Sequence, residues 1–158
     1  TDALTGALNR HGFHELAGVE LQRALRYHRN LAMIMADIDH FKKINDRHGH
    51  QAGDRVLAEV AQCLRKSVRD VDIGGRYGGE EFVVLLPETL PPQALLVAER
   101  VRHAVSDLKI TSESERILVT ISLGLAGDQS PESLSALIKT ADAALYRAKE
   151  SGRNRVVV

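Results

Sequence analysis

Paired carboxylates stand at two places where an apolar run meets polar residues. Asp37 and Asp39 follow the run LAMIMA, and Glu80 and Glu81 precede the run FVVLLP. Residues two apart on a strand share a face, so Asp37 and Asp39 lie together while Ile38 points the other way. If the two runs are neighbouring strands, Asp37, Glu80 and a backbone carbonyl make a hard oxygen site suited to Mg²⁺. Alternatively, these four acids are solvated surface residues, and their spacing does not decide between this interpretation and a metal site.

Basic residues near these acids could bind phosphate. Lys42 follows the acidic strand end, and Lys149 and Arg153 lie four residues apart at the end of the last predicted helix. On one helix face these two could hold phosphates together, although cations that stabilise a helix C-terminus are the alternative. His48 and His50 form a His-x-His pair in a predicted loop without a cysteine partner, so we expect no transition-metal site there.

Several other kinds of site are excluded by the residues present. GGRYGG is followed by a strand pattern rather than a helix, so it is neither a P-loop nor a dinucleotide fingerprint. Ser122 lies inside a strand pattern and not on a strand-to-helix elbow, which argues against a nucleophilic serine. Cys63 is the single cysteine, which excludes an internal disulfide framework, and its apolar helical neighbours favour a core thiol.

The composition fits one domain over residues 1–158, with 44% hydrophobic and 27% charged residues. Lys and Arg balance Asp and Glu at 21 each, so the net charge gives no reason to expect a nucleic-acid polymer as partner. No apolar stretch approaches the roughly 20 residues of a membrane span. We therefore expect a cytoplasmic domain without membrane contact, cut from a longer protein because the chain begins at Thr1.

Hydrophobic periodicity predicts eight elements that hold these side chains. Gly78 and Gly79 occupy the turn of a hairpin, where glycine accepts a positive φ. Asp54 is expected to cap the second helix, and Ser130 precedes Pro131 at the start of the last. The predicted order is helix 14–28, strand 31–39, helix from 54, hairpin 71–87, helix from 92, strand 116–127, helix 130–152 and strand 155–158.

Without the terminal elements this order is β-α-β-β-α-β, which predicts an α+β fold with a ferredoxin-like sheet and helices on one face. Many unrelated functions use that fold, so the function has to be argued from the site.

Five segments in order resemble the diguanylate cyclases, the GGDEF/GGEEF family, over essentially the whole chain. Ala7 departs from the leucine that the family usually has in its opening motif. The segments are DALTGALNR at 2–10, DIDHFKKINDRHGHQAGDRVL at 37–57, RYGGEEF at 76–82, SLG at 122–124 and ADAALYRAKESGRN at 141–154.

The resemblance implies a palm-type fold and the condensation of two GTP molecules into cyclic di-GMP and pyrophosphate by a homodimer. Carried over by position, it implies these roles: Asp37, Glu80 and the Ile38 carbonyl for Mg²⁺, with Mn²⁺ possible; Asn45 and Asp54 for guanine; Lys42, Lys149 and Arg153 for phosphate.

The same resemblance suggests roles in the reaction. Glu80 is our candidate to accept the proton of the attacking 3′-hydroxyl, with solvent or phosphate as alternatives. Lys42 would stabilise charge that develops in the transition state, and Glu81 would orient the metal cluster.

A further match, RDVD at 69–72, concerns regulation by the product. Its register against the GGEEF turn matches the family's product-inhibition site, so Arg69, Asp72 and Arg100 are expected to bind cyclic di-GMP. A surface salt bridge is the alternative for this motif. At the level of the whole domain, the alternative to an active cyclase is a catalytically silent cyclic di-GMP receptor.

Overall fold

The computed structural model describes all residues from Thr1 to Val158. It confirms the predicted α+β class. None of its helices combines the length and the hydrophobicity that a membrane span requires. The elements in chain order are α1 (Arg10–Tyr27), β1 (Leu31–Ile38), α2 (Phe41–His48), α3 (His50–Ser67), β2 (Ile73–Arg76), β3 (Glu81–Pro87), α4 (Pro91–Ser106), β4 (Ile110–Ser112), β5 (Glu115–Ile117), β6 (Ile121–Asp128), α5 (Leu134–Glu150) and β7 (Val156–Val157).

The main sheet has five strands in the order β2-β3-β1-β6-β7. β1 pairs antiparallel with β3 on one side and with β6 on the other, and β7 adds to β6 in parallel. β1, α3, β2, β3, α4 and β6 reproduce the ferredoxin-like β-α-β-β-α-β order. The central position of β1 explains why all eight of its residues are buried and why its sequence is almost entirely apolar.

Helices cover both faces of the sheet, whereas the sequence predicted one covered face. Ala32 and Ile34 of β1 belong to a core of 24 buried residues formed with α3 and α4. Met33 and Met35 point the other way, into a core of 13 buried residues formed with α1 and α5. The helices of the ferredoxin-like core do share one face, and the additional helices α1 and α5 bury the other.

The segment predicted as a loop between β1 and the next helix is mostly helical. α2 ends at His48 and α3 begins at His50, so these histidines belong to helices. Gly49, with φ 90°, forms the junction because it tolerates a backbone conformation that other residues rarely adopt. The prediction that Asp54 caps the helix was wrong, since Gly49 is the N-terminal cap and Asp54 lies within α3.

The start of the last helix was also predicted wrongly. Ser133 caps α5, with its Oγ accepting a hydrogen bond from the Ala136 amide at 3.0 Å, whereas the Ser130 amide donates to Asp128 in the preceding turn. At the other end α5 stops at Glu150, followed by Gly152 with φ 125°. Arg153 has φ 62° and lies beyond the helix, so it does not share a helix face with Lys149 as predicted.

Two further boundaries differ from the predicted ones. Residues 116–127 form two strands instead of one, because β5 pairs with β4 in a separate hairpin before β6 enters the main sheet. α1 starts at Arg10, four residues earlier than predicted, because the Asn9 side chain accepts a hydrogen bond from the Gly12 amide at 2.8 Å and caps the helix.

Candidate active site at the end of the central strand

The pairing of β1 with β3 brings the two acidic pairs together. Asp37 lies opposite Glu81 in the antiparallel register, and the Ile38 amide donates to the Glu80 carbonyl at 3.2 Å. The sequence predicted this arrangement on the condition that strand and hairpin are neighbours, and the structure confirms that they are.

Asp37 is buried and contacts a cation from the far end of the chain. Lys149, in the last turn of α5, donates from Nζ to Asp37 Oδ2 at 2.8 Å. Burial raises the pKa of Asp37 to about 6, against the opposing effect of Lys149, and the negative charges of Glu80 and Glu81 raise it further. The end of β1 therefore holds more negative charge than one lysine neutralises, and a bound cation would relieve this repulsion.

Asp39 has a different role, although it lies only two residues further along. Its carboxylate accepts hydrogen bonds from Ser122 Oγ at 2.6 Å, Thr120 Oγ1 at 2.7 Å and the Asn154 amide at 3.0 Å. With three donors this buried carboxylate is satisfied, and it ties β1 to β6 and to the segment after α5. Ser122 is fully buried in this contact, which agrees with its exclusion as a nucleophile.

The donors near Asp37 suit a hard cation. The predicted protein ligands are the carboxylates of Asp37 and Glu80 and the Ile38 carbonyl, and no group of three or more His, Cys, Asp or Glu side chains is placed to hold a metal. Mg²⁺ is usually bound by one or two carboxylates, with water and substrate phosphates as the remaining ligands. The residues present fit that ion and offer neither thiolate nor imidazole.

The glycines of the GGEEF turn do not adopt the backbone conformation that the sequence predicted. Neither Gly78 nor Gly79 has a positive φ, so the prediction that the turn needs this conformation was wrong. A Cβ at Gly78 would lie 2.9 Å from Glu81 Oε1, whereas one at Gly79 would meet nothing within 4 Å. The Tyr77 amide also donates to the Glu81 carbonyl at 2.7 Å. A side chain at position 78 would therefore displace the end of the Glu81 side chain from its present position against the turn.

Arg76 holds the same turn and was missed by the sequence analysis. Its Nη2 donates to the Gly79 carbonyl at 2.8 Å, and its Nη1 lies 3.1 Å from Asp2 Oδ1. Burial alone would raise the pKa of Asp2, but hydrogen bonds from Thr5 and Arg76 outweigh it and lower that pKa. Asp2 and Arg76 are 74 residues apart, so no local pattern could pair them.

Tyr77 is a second residue of the turn that the sequence analysis did not single out. His14 Nε2 lies 3.0 Å from the Tyr77 hydroxyl, and the Arg10 guanidinium lies 4.2 Å from the centre of its ring. Phe13 meets the same ring edge-on. The beginning of α1 thus packs against the residue that precedes the GGEEF glycines.

The residues predicted to bind guanine and phosphate lie on neighbouring elements. Asn45 and the exposed Lys42 are on α2, and the exposed Asp54 is on α3, which packs against α2 at Gly53. Lys149 contacts Asp37, as described above, and Arg153 is exposed in the loop that follows α5.

The residues of the predicted product site lie near one another. Arg69 donates to the Asp72 carboxylate at 2.8 Å and to Thr89 Oγ1 at 3.0 Å, and the bond to Asp72 raises the pKa of Arg69. Arg100 donates to the Ser67 carbonyl at 2.8 Å and lines one shallow cavity together with Arg69. The salt bridge considered in the sequence analysis therefore exists, beside a cavity that Arg69 and Arg100 both line.

Comparison with known proteins identifies the family. The family model for the diguanylate cyclase GGDEF domain matches residues 1–155. The chain belongs to this family. It is 46% identical over 129 residues to diguanylate cyclase A of Treponema denticola, which covers 81% of the chain and 35% of that relative. The chain spans less than half the length of the curated relatives it matches.

Solved structures support the same assignment. Diguanylate cyclase SiaD of Pseudomonas aeruginosa, in complex with its activator SiaC, superposes with a TM-score of 0.95 at 42% identity and covers 99% of this chain and 60% of that one. The GGDEF domain of DgcB from Caulobacter crescentus, in complex with c-di-GMP, also gives 0.95, at 35% identity and with coverage of 99% and 94%. The palm-type fold predicted from the resemblance is thereby confirmed.

Proposed function

We propose that this chain is the single catalytic domain of a longer cytoplasmic protein and condenses two GTP molecules into cyclic di-GMP with release of pyrophosphate. The observation that supports this most directly is the buried Asp37, which lies beside both GGEEF acids and a lysine at the end of β1. The family match extends over this whole arrangement.

Asp37, Glu80 and the Ile38 carbonyl would hold Mg²⁺, or Mn²⁺ in its place. When bound, the ion supplies charge that lowers the pKa of the attacking hydroxyl and screens the triphosphate.

The side chains of the chain itself bind and orient the nucleotide. Asn45 and Asp54 pair with the guanine edge, which offers one acceptor and two donor groups. The phosphates are held by Lys42, Lys149 and Arg153.

The reaction then needs an acceptor for the proton of the 3′-hydroxyl, and Glu80 takes this role. Lys42 stabilises the charge that develops at the phosphate. Glu81 lies against Gly78 and orients the turn that carries Glu80.

The chain has one set of guanine-binding residues and therefore one GTP per subunit. Two subunits must meet so that the 3′-hydroxyl of one nucleotide faces the α-phosphate of the other. The active form is accordingly a homodimer, and activity rises with protein concentration wherever dimerisation is incomplete.

Incubation of the purified domain with GTP and Mg²⁺, followed by chromatography, tests the activity. We expect cyclic di-GMP from the wild type, none from Glu80→Gln, and wild-type amounts from Glu132→Gln, a matched change at an exposed site. A preparation shown to be dimeric that forms no cyclic di-GMP would overturn the proposal. An unchanged rate in Glu80→Gln would refute the role of this residue alone.

We further propose that Arg69, Asp72 and Arg100 bind cyclic di-GMP and inhibit the enzyme. The cavity shared by Arg69 and Arg100 supports this, since paired guanidinium groups suit phosphate and the guanine edge. Arg69→Ala should weaken cyclic di-GMP binding in calorimetry and relieve inhibition, whereas Arg26→Ala, at an exposed site on α1, should change neither. If the domain binds cyclic di-GMP but makes none, the alternative of a silent receptor replaces the cyclase.

A further inference from the structure

Gly53 lies in α3 at the point where α2 packs against it. A Cβ built at Gly53 would lie 2.9 Å from Asn45 Cγ and nearer still to Asn45 Oδ1. It would also lie 3.3 Å from Phe41 Cζ. The Asn45 amide therefore occupies the space that a side chain at position 53 would need.

The overlap can be relieved only if the Asn45 side chain or α2 moves. Real Cβ atoms essentially never approach other atoms closer than 3.0 Å, and Gly53 is buried. Phe41 and Asn45 lie four residues apart on the same face of α2, so a shift of the helix as a whole would disturb both contacts. A methyl group at position 53 would displace the Asn45 amide by more than about 1 Å, which is enough to break a hydrogen bond of about 2.9 Å.

The helix itself would favour a different residue. Glycine inside a helix is less favourable than alanine, because it loses more backbone entropy on folding. Gly53 has no positive φ that would require glycine, unlike Gly49 at the start of the same helix. The contact with α2 is thus the structural reason for glycine at this position.

We propose that Gly53 is a positioning residue for guanine recognition. Because Gly53 has no side chain, the Asn45 amide can lie against α3 beside Asp54. The Asn45 amide and the Asp54 carboxylate can then pair with the same guanine edge. This inference rests on the proposed function, since it assumes that Asn45 and Asp54 pair with guanine. It adds a determinant of base selectivity that does not itself touch the nucleotide.

The test compares Gly53→Ala with the wild type in the intact domain. Calorimetry with α,β-methylene-GTP, which the enzyme cannot condense, measures binding, and initial rates with GTP give KM and kcat. Loss of a hydrogen bond that leaves a polar group of the bound base unpaired costs about 1–3 kcal/mol, so we expect the Kd and KM for GTP to rise about 5- to 150-fold. The preference for GTP over ATP should fall by a similar factor, whereas kcat should change much less.

Gly18→Ala is the matched control, because Gly18 is also helical and a Cβ there would meet nothing within 4 Å. It should leave nucleotide binding unchanged. Asn45→Ala provides the second control, because it removes the group that Gly53 positions. In the variant that combines Gly53→Ala with Asn45→Ala, binding should be no weaker than in Asn45→Ala alone.

Wild-type affinity and base preference in Gly53→Ala would overturn the inference, and so would additive losses in the combined variant. If Gly53→Ala fails to fold, the combined variant should fold because the overlap is gone, and its failure to do so would also count against the inference. A wild-type domain that binds no α,β-methylene-GTP overturns the proposed function and the inference with it. Wild-type GTP binding with an unaffected Gly53→Ala overturns the inference only.

Discussion

The burial of Asp37 predicts an unusual pH dependence for the metal-free domain. The folded-state pKa of Asp37 is about 6, raised from 3.8 chiefly by burial. Between these two values the folded chain binds more protons than the unfolded chain, so the free energy of unfolding falls as the pH rises. Above about pH 6 this contribution is constant. Acids that are stabilised by the fold behave in the opposite way and lose their contribution as the pH falls.

The size of the effect follows from the shift. The difference between about 6 and 3.8 is about 2.2 pKa units, and at 1.36 kcal/mol per unit it costs the folded state about 3 kcal/mol when Asp37 is ionised. Solvent screening removes little of this, because the Asp37 side chain is only 11% exposed. The favourable contact with Lys149 is already included in that pKa, which therefore measures the net effect.

Urea unfolding between pH 4 and pH 7.5, in the presence of EDTA, measures the effect directly. Asp37→Asn removes the titrating group and keeps an oxygen that can accept the hydrogen bond from Lys149. Because the unfolded carboxyl is already partly ionised at pH 4, the stability of Asp37→Asn relative to the wild type should rise by about 2.4 kcal/mol from pH 4 to pH 7. Asp142→Asn, an exposed change on α5, should give a constant difference over the same range.

A stability difference between Asp37→Asn and the wild type that does not change with pH would refute the reasoning. It would mean that water reaches the Asp37 carboxylate in the folded domain. A change of the opposite sign would mean that Lys149 outweighs burial and that the folded pKa lies below 3.8.

Two further predictions concern the free energy of unfolding of variants at residues that hold the site in place. Asp2→Asn should lower the free energy of unfolding by about 1–2 kcal/mol, because it weakens the charge-assisted bond from Arg76, and denaturant melts at pH 7 measure this loss. Gly124→Ala should cost at least about 1–3 kcal/mol, since a Cβ there would overlap main-chain atoms of Ala141, Ala144 and Leu145 in α5, and Gly18→Ala should show no such loss. Stabilities within about 0.3 kcal/mol of the wild type would contradict either expectation.

The elements that sequence predicted well are those whose burial follows a local pattern. β1 is buried on both faces and reads as a continuous apolar run, while α3 and α4 show an apolar stripe at helical spacing. The βαββαβ order and the neighbouring acidic pairs followed from these elements. The GGEEF hairpin followed as well, although the reason given for its glycines was wrong.

The missed elements are those whose residues look like turn formers. The end of α2, the junction and the start of α3 contain Asn45, Gly49 and Gly53 respectively, which favour loops by propensity. Tertiary packing overrides this loop propensity, because Gly53 allows α2 and α3 to approach closely. The hairpin of β4 and β5 was missed because residues 116–127 keep one alternating pattern, although the chain changes from one sheet to the other within them.

The motifs predicted which residues belong to the candidate site, but they did not predict the contacts among those residues. Lys149 and Asp37 are 112 residues apart, so the sequence gives no sign that they pair. Resemblance assigned Lys149 to phosphate, and the structure places its ammonium group against the Asp37 carboxylate, where it neutralises part of the acidic cluster.

The fold gives Asp37 and Asp39 different contacts, although both are aspartates at the end of β1. Alternation along a strand predicts a shared face, and on that basis both could be metal ligands. Asp39 is excluded from that role because Thr120, Ser122 and Asn154 already donate to it. These bonds fix the end of β1 against β6 and against the loop that carries Arg153. By fixing the end of β1, Asp39 keeps Asp37 in the buried position that raises its pKa and leaves it available to a cation.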